Sequence, residues 1–297
     1  MTETRRTTLL AAVLLLSVTA VWGSTFFLIK DLLDRVPTLD FLTVRFTIAA
    51  VLLVIVAPRA LARLSAASRR HALVLGGLYG VAQILQTAGL AHTPASVSGF
   101  ITGMYVVATP LFAALILRTR ITAMTWAAVA LATAGLGVLT LEGFSVGYGE
   151  AITLVAALIY ALHIVGLGAW SRPAEAIGMS IVQIMVIAAL CLVASAPDGI
   201  TLPATTGDWL SVVYMAAFAS SFALLAQTWA QAHLPPTRSA IIMSMEPVFA
   251  ALFAVLAGGE DATLRMLAGG AMVVTAMLVV ELVPRRKVEA EVPHIAV

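Results

Sequence analysis

Ten apolar runs of roughly 17 to 24 residues, parted by short polar clusters, constrain this chain more than any other feature, because each can cross about 30 Å of hydrocarbon at 1.5 Å per residue. They are residues 9–29, 39–57, 72–91, 97–117, 123–141, 149–170, 176–196, 209–232, 238–257 and 264–283. Unpaired backbone polar groups are too costly in lipid, so each run is expected to be helical. The fold class that follows is an all-α membrane protein with ten transmembrane helices. Composition agrees: 61% of residues are hydrophobic, 11% are charged and the mean hydropathy is +1.02, far from the soluble average of about a quarter charged.

The charges between the runs set a topology. With the amino terminus in the cytoplasm, the inner segments hold Arg5, Arg6, Arg59, Arg63, Arg69, Arg70, Arg118, Arg120, Arg172, Arg238, Arg285, Arg286 and Lys287. The outer segments hold only Lys30, Arg35 and Arg265, and Arg45 lies within a run. This positive-inside bias places both termini in the cytoplasm and the protein in the cell (inner) membrane as a multi-pass chain. A cleaved signal peptide is disfavoured, because the first stretch continues to Ile29 without a convincing small-residue cleavage site. A twin-arginine reading of Arg5-Arg6 is weaker still.

Internal similarity comes next. Trp22-Gly23-Ser24-Thr25 aligns with Tyr160-Ala161-Leu162-His163, Gln86 with Gln227, and Pro110-Leu111-Phe112-Ala113-Ala114-Leu115 with Pro247-Val248-Phe249-Ala250-Ala251-Leu252, all at offsets of about 137 to 141 residues, the mark of a repeat. Five helices per half force the second copy to insert upside down. The expected organisation is a cytoplasmic N-terminus over 1–8, one five-helix repeat over 9–141, a second, inverted five-helix repeat over 149–283, and a cytoplasmic tail over 284–297. Inverted repeats surround a central site that can face either side of a membrane in turn.

These residues resemble a known family. Trp22-Gly23-Ser24-Thr25-Phe26, Arg45-Phe46, the stretch from Gly99 to Pro110 and the stretch from Met245 to Glu260 look like the EamA-type branch of the drug/metabolite transporter superfamily. The resemblance spans both halves. It implies a central substrate cavity and export of small metabolites such as amino acids, nucleobases or drugs. Two departures stand out. Thr25 stands where such motifs often carry Asn, and Arg118-Thr119-Arg120 lacks a counterpart to Glu260.

Polar groups inside the runs are the candidate site, since a charge at a helix centre costs about 2.5 to 3.5 kcal/mol on insertion scales. Glu246 lies about eight residues into the ninth run, roughly 12 Å from its cytoplasmic end. It reads as a proton or substrate-amine acceptor, or as a carboxylate that fixes a kinked helix. Pro247 beside it frees the carbonyl of Met243, and Pro110 does the same to Val106 in the fourth run. Matching helix breaks in two halves point to a transport site. Arg45 approaches from the outer side and reads as a gating or structural residue that snorkels to water or meets an anion; its depth argues against a direct pair with Glu246.

Tyr79, Gln83 and Gln86 fall on one face of the third helix at i, i+4 and i+7. In the eighth run Ser220, Gln227 and Gln231 form a second stripe. Trp22, Thr25, Tyr160 and His163 occupy related positions in the first and sixth runs, where they would sandwich a substrate. Tyr105 precedes Pro110 by about one turn and faces the same space. The bland alternative for the two stripes is helix-to-helix hydrogen bonding at about 0.6 to 2 kcal/mol; for His163 it is a packed hydrogen-bonding residue, and for Tyr105 a buried aromatic in a tight bundle. The substrate-binding set is therefore Trp22, Thr25, Tyr79, Gln83, Gln86, Tyr105, Tyr160, His163, Gln227 and Glu246, with Arg45, Pro110 and Pro247 gating or structural.

Exclusions narrow the rest. Cys191 is the only cysteine and the chain has no Asn, so disulfides within the chain and glycosylation sequons are ruled out. Neither a metal site nor a catalytic residue is expected, no cofactor is called for, and a formal charge of +2 does not suggest nucleic acid. The expected partners are a small-molecule metabolite, protons and membrane lipid, with a homodimer left open. The reading is a secondary transporter, not an enzyme, exporting small organic metabolites by alternating access; a membrane-embedded enzyme or a passive channel is the alternative.

Overall fold

The computed structural model describes residues 3–93, 95–140, 147–257 and 262–282. Among the described residues all regular structure is helical: α1 (Glu3–Gly23), α2 (Phe26–Leu33), α3 (Thr38–Val56), α4 (Ala66–His92), α5 (Ala95–Gly103), α6 (Tyr105–Ile116), α7 (Ala123–Thr140), α8 (Tyr148–Trp170), α9 (Ala176–Ser195), α10 (Thr206–Tyr214), α11 (Ala223–Gln231), α12 (Pro236–Met243), α13 (Glu246–Ala257) and α14 (Leu264–Leu282). Two 3₁₀ turns, Pro173–Glu175 and Ala196–Asp198, flank α9, and a π-helical segment, Met215–Phe222, joins α10 to α11. The tail from residue 284 and Glu260 lie outside the described residues.

Seven described helices are long and apolar enough to cross a membrane: Arg5–Leu33, Thr38–Val56, Ala66–His92, Val97–Ile116, Tyr148–Trp170, Pro173–Ser195 and Thr206–Gln231. Ala123–Val138 and Leu264–Val279 are shorter apolar helices. The remaining run, 238–257, falls on α12 and α13, split at Ser244. The chain is thus a multi-pass membrane protein whose clear spans number seven among the described residues, against the ten expected.

Three runs are broken, each for a local reason. Between α1 and α2 the hydroxyls of Ser24 and Thr25 donate back to the carbonyls of Val21 and Trp22 at 2.7 and 2.8 Å, an alternative to the helical ladder that such side chains offer. Between α12 and α13 the backbone tightens to a Met245 to Ile242 bond of 3.1 Å, and Pro247, without an N–H, falls in the first turn of α13 where none is needed. The break between α5 and α6 differs from the sequence expectation. It lies at Met104, ahead of Pro110, which sits inside α6.

Packing pairs the first half of the chain with the second. α4 lies along α8 and α9, α3 along α9 and the π segment, α1 along α11 and α13, α6 along α8 and α12, and α7 along α14. Small residues set the distances, as expected where lipid gives no hydrophobic drive between helices. A Cβ at Gly89 of α4 would stand 2.1 Å from the Thr153 hydroxyl and 2.8 Å from the Gly149 carbonyl of α8. A Cβ at Gly76 or Gly80 would stand 2.9 Å from α9, whereas Gly77 beside them faces open space.

Polar contacts also tie the halves at helix starts. Arg35, just after α2, bonds Asp208 at 2.7 Å, and Asp208 in turn caps α10 together with Thr205. Glu175, just after α8, accepts the Ser65 N–H at 2.8 Å and the Ser68 hydroxyl at 2.6 Å at the start of α4.

Candidate functional site

Where the broken helices meet the paired halves, a central cavity of about 60 Å³ opens. All ten residues singled out as substrate-binding line it, and so does Arg45. Pro110 and Pro247 do not line it. Seven more residues complete the wall: Phe26, Ile29, Thr87, Leu90, Thr102, Ile164 and Met243. Thr87 and Leu90 extend the face of Tyr79, Gln83 and Gln86 at helical spacing, so the sequence carried that signal. The apolar members carry none, since nothing separates them from any other membrane-helix residue.

α4 and α8 supply the most connected part. The Tyr160 hydroxyl of α8 lies 3.1 Å from Gln83 Oε1 and 2.9 Å from Gln86 Oε1, and donates one proton between them. Gln83 Nε2 then donates to Thr87 at 3.1 Å and Gln86 Nε2 to Thr102 of α5 at 3.2 Å. The Tyr79 ring meets Tyr160 and His163 edge-on, with centroids 5.3 and 5.1 Å away. This geometry suits aromatic quadrupoles. His163 is fully buried, one nitrogen 2.9 Å from Gln183 Oε1.

Two further lining residues, Trp22 and Arg45, are anchored on the π segment, whose wider turn is a frequent mark of functional helices. The Ala219 carbonyl in it receives Trp22 Nε1 at 2.9 Å and an Arg45 guanidinium nitrogen at 3.3 Å. Arg45 Nε also donates to Ser220 Oγ at 2.8 Å, and the guanidinium lies 5.1 Å from the Phe46 ring centroid. Arg45 is only 3% exposed, so it does not snorkel to water; hydrogen bonds and a ring face hold it inside instead.

Glu246, 8% exposed, is different. Among the described residues its carboxylate has no hydrogen-bond or ion-pair partner, and the two ion pairs present are both made by Arg35. Arg45 and Glu246 share the cavity without pairing, as their depths suggested. Gln227 points its amide nitrogen at the Met243 sulfur, 3.8 Å away, and its carbonyl oxygen has no partner, nor have the Tyr105 hydroxyl and His163 Nδ1. Among the described residues no group of three metal-ligating side chains occurs.

Thr25 turns its hydroxyl to Trp22 and so closes the helix break rather than presenting a donor to the cavity. The π segment and the break after Gly23 were not read from the sequence. The Gly23-Ser24-Thr25 triplet was the available signal for the second. The π segment has none, since Met215 to Phe222 is apolar apart from Ser220 and Ser221.

Comparison with known proteins places this arrangement. An uncharacterized transporter of Archaeoglobus fulgidus is 29% identical over 270 residues, covering 89% of this chain and 83% of that protein. A protein of known crystal structure shares the fold with a TM-score of 0.78 at 19% identity, over 92% of this chain and 96% of its own. Residues 9–141 and 147–282 match the EamA-like transporter family, and the chain belongs to that family.

Proposed function

We propose that the protein is a secondary transporter that exports small organic metabolites, moving them through the central cavity by alternating access. The observation that carries the reading is the cavity itself. It is lined from both halves, mixes aromatic rings with amide and hydroxyl groups, and among the described residues leaves Tyr105 and Gln227 with unused hydrogen-bonding capacity and Glu246 without a partner. Buried polar groups are ordinarily paired, so these are the groups available to a solute.

The two-fold logic of the packing supports an inverted repeat. Exchanging the halves turns the α4 on α8 contact into α11 on α1, and α3 on the π segment into α9 on α4, all of which occur. The same exchange turns the Arg35 link at the start of α10 into the Glu175 link at the start of α4. With ten spans and a cytoplasmic amino terminus, the first of these lies outside and the second inside. Two stretches matching one family support the repeat as well.

Proteoliposome counterflow across amino acids, purines, sugars and cationic drugs tests the function. Saturable exchange of at least one small solute is the expected result. Unsaturable flux at channel rates, or covalent change of the solute, would replace the carrier with one of the other two readings.

A further inference from the structure

A second cavity, of about 330 Å³, lies apart from the central one, beneath the link from α3 to α4. That volume falls at the lower end of ligand pockets. Val56, Arg59, Arg63 and Leu64 line it from the α3 side, and Glu175 and Ile177 from the 3₁₀ turn and the start of α9. Residues 58–63 form turns, which set Arg59 and Arg63 four positions apart on the same wall. Both are exposed, and among the described residues neither makes a hydrogen bond or ion pair. The one carboxylate in the lining is already engaged, because both Glu175 oxygens accept from the start of α4.

The wall opposite in character is apolar and continuous with the lipid-facing flank. Ile55 and Val56 are 71% and 70% exposed at the end of α3, and Ile177 is 44% exposed. On a membrane helix such surface is solvated by acyl chains. Two guanidinium groups beside a greasy wall match a phosphate that carries acyl chains. Guanidinium forks bind phosphate oxygens in pairs, and basic pockets between helices at the inner surface suit anionic lipid heads. The positive-inside bias asks only for basic residues on this side. It does not ask for two of them around a cavity.

We propose that Arg59 and Arg63 bind the phosphate head of an anionic phospholipid, with its acyl chains laid along the end of α3. The site is separate from the transport cavity and stands whether or not the solute reading holds. Inorganic phosphate offers the same head chemistry but gains nothing from Val56 and Ile177.

Native mass spectrometry of the full chain, released from nanodiscs that mix phosphatidylglycerol with phosphatidylcholine, tests the site. Phosphatidylglycerol should be retained in preference to phosphatidylcholine. Arg59→Gln with Arg63→Gln should weaken that retention about ten-fold, as expected for losing charged hydrogen bonds. Arg69→Gln with Arg70→Gln, on arginines outside the lining, should leave it unchanged. The single variants Arg59→Gln and Arg63→Gln serve if the double variant fails to fold, and each should retain less than the parent. Equal retention in the Arg59 and Arg63 variants, or equal loss in the Arg69 and Arg70 control, would overturn the site. Inorganic phosphate that displaces phosphatidylglycerol at equal concentration would overturn the lipid assignment.

Discussion

Glu246 and Arg45 are both buried in the same cavity, yet only one of them has its bonds made. Arg45 is held by Ser220, Ala219 and the Phe46 ring, so its charge is satisfied before any solute arrives. Glu246 has no such neighbours among the described residues, and a buried carboxylate without a partner is costly. In the transport reading it is therefore the group that a proton or an amine satisfies. Glu246→Gln should abolish accumulation driven by a pH gradient while solute counterflow persists; pH dependence like that of the parent would end the idea. Ser220→Ala orphans Arg45 Nε, and should destabilise the protein by about 1 to 3 kcal/mol, read as a lower thermal midpoint in detergent. That both residues lie inside a span was legible from position within a run. The partners of Arg45 were not, because they lie 175 and 174 residues away along the chain on a segment whose π register no residue announces.

At the scale of elements, the helices were legible and their interruptions only in part. Run length and the cost of bare backbone in lipid dictate helix wherever the apolar stretches occur, and the α4 face survives intact because α4 is continuous. The eighth run is not. Its π segment runs through Ser220 to Phe222 and changes the number of residues per turn before Gln227, so Ser220 serves Arg45 while Gln227 meets Met243, and the stripe expected from a uniform period divides in two. Glycines were legible as close-approach positions, but not which of them touch. Gly89→Ala should push α4 from α8, since its Cβ meets the backbone carbonyl of Gly149 as well as Thr153, at a cost of about 1 to 3 kcal/mol. Gly77→Ala, facing open space, should be neutral or stabilising by up to about 1 kcal/mol through helix propensity. Thermal unfolding of the two variants side by side checks the pair, and equal midpoints would contradict the packing.

For the molecule as a whole, the proposed alternating access would require that each end of the cavity be closed by contacts weak enough to part. Beside Ile29 and Leu90 in the cavity wall, one polar clasp joins α2 to α4. Lys30 Nζ, at the end of α2, donates to the Leu90 and Ala91 carbonyls at 2.9 and 3.4 Å. These are terminal carbonyls of α4, where a cation also meets the negative end of the helix dipole. Elsewhere, between α8 and α12, the Pro236 ring packs against Gly168, whose added Cβ would stand 2.5 Å from it, a fit of shape made by uncharged groups. The two contacts therefore respond to different substitutions. Lys30→Met keeps the aliphatic stem and removes only the donors, a loss of about 1 kcal/mol for a partly exposed bond, or roughly a five-fold shift toward the state open beside the clasp. Cys191 is fully buried, so a thiol placed in the cavity by Thr87→Cys reports without native background. Its labelling by a membrane-impermeant maleimide should rise about five-fold when Lys30→Met is added, and stay near the parent rate with Lys30→Arg. Equal labelling with and without Lys30→Met would mean that the cavity is sealed there by the apolar contacts of Ile29 and Leu90 alone, and that the clasp plays no part in the cycle.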